Sequence, residues 1–129
     1  VDYTSLYNSD VRAGSLISRY DVIIMADMSR NQIMNGFAKG SVPPRYSGGI
    51  NSDGARKIDE FVKAGGTLVT INRSSAFAID ELHLPVKDVV VDIPREDYFA
   101  GGAIAEIMVD RTHPVMSGMP ERAKIFVGY

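Results

Sequence analysis

The run Tyr20-Asp21-Val22-Ile23-Ile24-Met25-Ala26 constrains the fold more than any other part of the chain. It is a continuous apolar run with a β-branched centre, the pattern of a strand buried on both faces, and such a strand belongs at the centre of a sheet. Thr67-Leu68-Val69-Thr70-Ile71 reads as a second buried strand. Between the two lies an amphipathic helix in which Ile58, Phe61 and Val62 form the buried stripe while Lys57, Asp59, Glu60 and Lys63 face water. Ser52 or Asp53 caps its start. Gly65-Gly66 stops it, because a glycine just past the last turn tolerates the left-handed conformation. Strand, helix and strand in that order imply a right-handed parallel crossover.

The flanking segments extend this pattern. Asp27-Met28-Ser29 closes the first strand, and Ser29-Arg30-Asn31-Gln32 fits a capping box opening a helix to about Phe37, with Ile33, Met34 and Phe37 on one face. Residues 39–51 are dominated by turn formers, including Pro43-Pro44 and Gly48-Gly49, and read as a long surface loop. After the second strand, Asn72-Arg73-Ser74-Ser75 makes a tight turn into a short helix through Leu82, with Phe77, Ala78 and Leu82 inward and Pro85 ending it. Val89 to Ile93 is expected to be a third strand. Ala103 to Val109 is expected to be a fourth, with Ala105, Ile107 and Val109 alternating against Ile104, Glu106 and Met108 and pairing antiparallel at one edge. Lys124-Ile125-Phe126-Val127 closes the sheet, and residues 1–129 read as a single domain.

Composition narrows the chemistry. None of the 129 residues is cysteine, which removes disulfides, cysteine-ligated zinc, iron–sulfur clusters and thiol nucleophiles together. Fourteen basic against sixteen acidic side chains, a net charge of −2, leave no basic footprint for nucleic acid. No window reaches the ~18 consecutive apolar residues of a membrane span.

In open α/β sheets ligands collect beyond the carboxyl ends of parallel strands, which here means Asp27-Met28-Ser29 and Asn72-Arg73-Ser74-Ser75. The second stands where a strand-to-helix elbow presents a nucleophile, so a serine hydrolase would use Ser74 or Ser75 with His113 or His83 as base. The elbow lacks the glycines of G-x-S-x-G, and paired serines before a helix also serve as caps. His113 precedes Pro114 at a turn and His83 sits at a helix end, positions with structural uses of their own. Neither H-E-x-x-H nor a close histidine and carboxylate pair occurs, so no zinc site is expected in this segment. Gly48-Gly49 and Gly65-Gly66 do not open a helix after a strand as phosphate loops do, and Glu96-Asp97 reads as a charged loop.

Several blocks carry a resemblance. They are Asp10-Val11-Arg12-Ala13-Gly14-Ser15-Leu16, Arg19-Tyr20-Asp21-Val22-Ile23-Ile24, Pro43-Pro44-Arg45-Tyr46-Ser47-Gly48-Gly49-Ile50 and Phe61-Val62-Lys63-Ala64-Gly65-Gly66-Thr67-Leu68-Val69. With Val109-Asp110-Arg111-Thr112-His113-Pro114 and Gly118-Met119-Pro120, they make the chain resemble the class I glutamine-amidotransferase-like domain of bacterial zinc carboxypeptidases of the carboxypeptidase A type. The block F-V-x-x-G-G-T-L-V also occurs in other amidotransferase-like modules, such as the middle domain of some β-galactosidases.

The resemblance implies a flavodoxin-like, three-layer α/β sandwich with a mainly parallel sheet, cut short at its N-terminus so that the first strand and helix are missing. It implies a degenerate elbow, since active amidotransferases keep a cysteine where this chain has Asn72-Arg73-Ser74-Ser75. Zinc and peptidase activity would then belong to another domain of the parent protein, in a secreted or periplasmic setting. The domain's partners would be that chain's other domains, or a second copy joined through the exposed sheet flank. An association module of a glycosidase and a serine-dependent hydrolase stand as alternatives.

Overall fold

The computed structural model describes residues 2–127. The chain divides into two compact units, Val1–Asp88 and Val89–Tyr129, each described by itself.

In the first unit, α1 (Asn8–Ala13), β1 (Val22–Met25), α2 (Arg30–Asn35), α3 (Asn51–Lys63), β2 (Thr67–Thr70) and α4 (Ser75–Glu81) follow one another, with 3-10 turns at Pro44–Tyr46 and Asn72–Ser74. β1 and β2 pair in parallel, Val22 opposite Thr67 and Met25 opposite Thr70. α2 opens as its sequence predicts: Ser29 Oγ accepts the Gln32 N–H at 3.3 Å, and the Ser29 N–H donates to Gln32 Oε1 at 3.3 Å. It stops at Asn35, short of Phe37, because the 47–50 loop crosses its end. A Cβ on Gly36 would lie 1.8 Å from the Gly48 carbonyl oxygen, and Gly36 has φ of +63°.

α3 begins at Asn51, ahead of the expected Ser52 or Asp53 cap. Ile50 stands at the N-cap without a side-chain bond, and within the first turn Asn51 Oδ1 accepts the Asp53 N–H at 2.9 Å. Ile58 and Phe61 are fully or almost fully buried, while Arg56 to Glu60 (2.7 Å) and Lys63 to Asp59 (2.6 Å) pair along the outer face. At the end of α3, Gly66 lies against the Phe61 ring, which a Cβ there would meet at 2.3 Å. Val11, Leu16, Ile23, Ile33, Ile50, Ala55, Ile58, Phe61 and Phe77 make one core. α1, which contributes Val11, is not among the helices expected from the sequence. Its signal was the Asn8-Ser9-Asp10 triplet, where Asp10 Oδ2 accepts the Tyr7 N–H at 2.9 Å.

The sheet departs from the central, doubly buried arrangement expected of β1. Among the described residues this sheet has two strands, and their side chains alternate. Ile23, Met25 and Leu68 enter or pack against the core, whereas Val22, Ile24, Val69 and Ile71 are 48%, 66%, 40% and 48% exposed. The sheet is therefore buried on one face.

The second unit holds a separate antiparallel pair, β3 (Ile104–Met108) and β4 (Arg122–Phe126), with Glu106 opposite Lys124. The predicted alternation holds, Ala105 and Ile107 being half-buried against exposed Ile104, Glu106 and Met108. The antiparallel pair is a sheet of its own and not an edge of the parallel one. The strand expected at Val89–Ile93 does not form. That segment runs through bends and turns into Pro94, because a β-branched run becomes a strand only where a partner completes its ladder.

Candidate functional site

The carboxyl ends of β1 and β2 come together as expected for a parallel pair. Ser74 Oγ lies 3.2 Å from the Met25 carbonyl, and Asp27 meets Arg73. Asn72 stands at the apex of the turn with φ of +55°, the left-handed conformation that asparagine tolerates better than most residues. The strained apex position of this elbow is thus held by an amide side chain, and both serines lie past it.

Arg73 follows the apex and is held by Asp27. Its Nε donates to Asp27 Oδ1 at 2.9 Å, its backbone N–H to the same oxygen at 3.3 Å, and its Nη2 to Oδ2 at 3.4 Å. The hydrogen bond from the Arg73 guanidinium is the largest influence on Asp27 and holds its carboxyl below the usual aspartate value; desolvation opposes it, and the Asn72 side chain and Arg73 backbone reinforce it. The N–H that an elbow would aim at a developing oxyanion is therefore already engaged by a carboxylate. Nothing in the Asp27 sequence position alone distinguished it from a strand-closing residue.

Ser74 is fully buried. Its Oγ accepts the Ile71 N–H at 2.7 Å and reaches the carbonyls of Ile71 at 2.8 Å and Met25 at 3.2 Å. One hydroxyl proton serves one of those carbonyls at a time, so the group is spent on joining the end of β2 to β1. Ser75 is half-buried, and its Oγ accepts from the Thr70 hydroxyl at 3.5 Å.

His113 belongs to the second unit, where its Nδ1 accepts the Val115 N–H at 3.3 Å and caps the 3-10 turn Pro114–Met116. It borders a shallow depression of about 480 Å³ with Ile107, Met108, Val115 and Met116. Asp110 in the same depression is bonded by the Thr112 hydroxyl at 2.6 Å and the Thr112 N–H at 2.9 Å, and these bonds lower its carboxyl pKa, the hydroxyl most. His83 lies beyond α4 with φ of +51°.

The Gly48-Gly49 turn is a packing device. The Gly48 N–H donates to the Phe37 carbonyl at 2.8 Å, Asn8 Nδ2 donates to the Gly48 carbonyl at 2.7 Å, and Arg12 donates to that of Gly49. Arg45, just before it, rests on the rings of Tyr7 and Tyr46, 5.8 and 5.6 Å from their centroids. Among the described residues no three His, Cys, Asp or Glu side chains gather as a metal site. None of the described helices is long and apolar enough to cross a membrane.

The first unit also has a groove of about 1170 Å³. Residues 2–7 and residues 19–26 are among those that line it. No family model matches the sequence, and no curated protein or solved structure matches it at a significant level.

Proposed function

We propose that this chain is a non-catalytic, amidotransferase-like α/β domain, flavodoxin-like in architecture, serving as an accessory module of a zinc-carboxypeptidase-like protein. One observation carries the non-catalytic part of the reading. The elbow after β2 holds Asn72 at its apex, spends the Ser74 hydroxyl on backbone and closes the Arg73 N–H with Asp27. An amide is no nucleophile under ordinary conditions, and the Ser74 oxygen is taken up by three backbone contacts. The carboxypeptidase association rests on the sequence resemblance, and any zinc would be held by another domain of that protein.

The test is turnover. The full chain is incubated with glutamine, activated esters and a peptide panel, beside Ser74→Ala and Ser75→Ala. The expected result is no hydrolysis above buffer by any of the three proteins. Hydrolysis by the parent chain that disappears in either variant refutes the reading and installs the serine hydrolase alternative.

A further inference from the structure

The depression beside His113 in the second unit gathers half of the chain's sulfur. Of the six methionines in the sequence, three line it: Met108, Met116 and Met119. Backbone bonds bring them there. The Met116 N–H donates to the His113 carbonyl at 2.9 Å and the Met119 N–H to that of Met116 at 3.1 Å. A turn of this kind brings its end residues within ~7 Å of each other, Cα to Cα, which sets Met119 beside Met116. Met108 ends β3 opposite Arg122, and the Val109 N–H donates to the Glu121 carbonyl at 2.8 Å, so that strand end is tied to the residues just after Met119.

A methionine that serves packing is buried, where its flexible thioether fills gaps. These three are 84%, 38% and 40% exposed, and no described residue of the second unit is buried. Packing therefore does not account for them. A unit spanning residues 89–129 is also near the ~40 residues below which chains lean on disulfides, metals or oligomerisation, and without cysteine the first of these is closed.

The donor set selects the ligand. His113 Nδ1 accepts the Val115 N–H at 3.3 Å, so the proton of the neutral ring lies on Nε2 and neither nitrogen has a lone pair to give. Asp110 adds one carboxylate, whose Oδ1 already accepts the Thr112 hydroxyl and N–H, and its charge favours a cation. Zinc, calcium and magnesium need several imidazole, thiolate or oxygen donors, and the lining residues assemble no such set. Thioether sulfur suits a soft ion, copper(I) above all.

We infer that Met108, Met116 and Met119 form a three-thioether binding site for a copper(I) ion, with the Asp110 carboxylate balancing its charge. Thioethers carry no proton to lose, so the ion binds without proton release and without change of oxidation state. The inference is independent of the accessory reading.

The test uses the full chain, isotope-labelled at its methionine methyls and followed by NMR. It is titrated first with silver(I), a redox-inert ion of the same softness, and then with copper(I) under nitrogen. Met28, 39% exposed and in the first unit, matches Met116 and Met119 in accessibility and serves as the control. The Met108, Met116 and Met119 signals should shift together and saturate at one ion per chain, with Met28 unmoved to that point and zinc(II) shifting none of them. Met116→Leu and Met119→Leu keep the apolar volume, and each should weaken silver(I) binding by about tenfold or more. A Met28 shift in step with the three, saturation above one ion per chain, a zinc(II) response, or no shift up to millimolar ion overturns the inference. Undiminished affinity in both leucine variants overturns it as well. A dimer mass that rises with added ion replaces the single-chain site by one shared between two copies and also overturns it. Should a leucine variant lose its fold, the wild-type titration against Met28 decides alone.

Discussion

Ser74→Ala separates a structural serine from a catalytic one, because the two roles predict opposite changes in stability. The wild-type hydroxyl accepts the Ile71 N–H at 2.7 Å and donates to a carbonyl 2.8 Å away, with the residue wholly buried. Alanine removes both bonds and leaves almost no cavity. The Ile71 N–H keeps a second acceptor, the Met25 carbonyl at 3.1 Å, so it is not orphaned and the full desolvation penalty does not apply. At ~0.5–1.5 kcal/mol net per hydrogen bond, the loss of two comes to about 1–3 kcal/mol. With a urea dependence of ~1–3 kcal/mol per molar, the middle of both ranges puts the fall in midpoint at about 1 M with unchanged slope. Far-ultraviolet circular dichroism at the helix band is the appropriate probe, because α1 to α4 all lie in the first unit. Ser75→Ala, which loses one 3.5 Å contact, should shift stability by less than about 0.5 kcal/mol. A Ser74→Ala protein as stable as the parent, or more stable, refutes the assignment of this hydroxyl to the β1–β2 junction.

Other perturbations probe the rest of the unit. Asp27 has a folded pKa below its unfolded value, so its stabilising effect is complete above the ordinary aspartate range and is lost as pH falls through the folded value. Asp27→Asn should therefore lower the urea midpoint at neutral pH, with the gap to wild type closing as pH drops below about 4; a gap that persists in acid denies the Arg73 pairing its role. Gly66→Ala drives a methyl group into the Phe61 ring and should cost about 1–3 kcal/mol in the same titration. The one-sided sheet predicts different outcomes for adjacent residues: Ile23→Thr, at 5% exposure, should lose about 2–3 kcal/mol, and Ile24→Thr, at 66%, should stay within about 0.5 kcal/mol. Equal losses at both positions would mean that β1 is buried on both faces.

Local chemistry was legible wherever a few neighbouring residues settle it. The Ser29 to Gln32 capping box, the α3 stripe of Ile58 and Phe61 and the alternation of Ala105 and Ile107 all appear in the structure, because each depends on spacing along one element. The elbow was found by sequence, but its apex was not. Which residue of Asn72-Arg73-Ser74-Ser75 takes the left-handed position depends on where β2 ends, and that end is set by its last ladder bond to Met25. Asp27 and Arg73 lie 46 positions apart, so their contact is invisible until the parallel pairing brings both strand ends together.

Two runs of similar composition mark the boundary between what sequence and tertiary structure decide. Val22-Ile23-Ile24-Met25 and Val89-Val90-Val91-Asp92-Ile93 both carry strong strand propensity, yet only the first is a strand. Sequence by itself determined the α/β alternation of the first unit, its caps and its buried helix stripe, since these follow from turn chemistry and periodicity. The tertiary structure alone decided which apolar run gains a ladder, which sheet face is covered and which elbow residue is exposed. Backbone hydrogen bonds between strands and the burial of a face are properties of two segments at once, and no single segment encodes its partner.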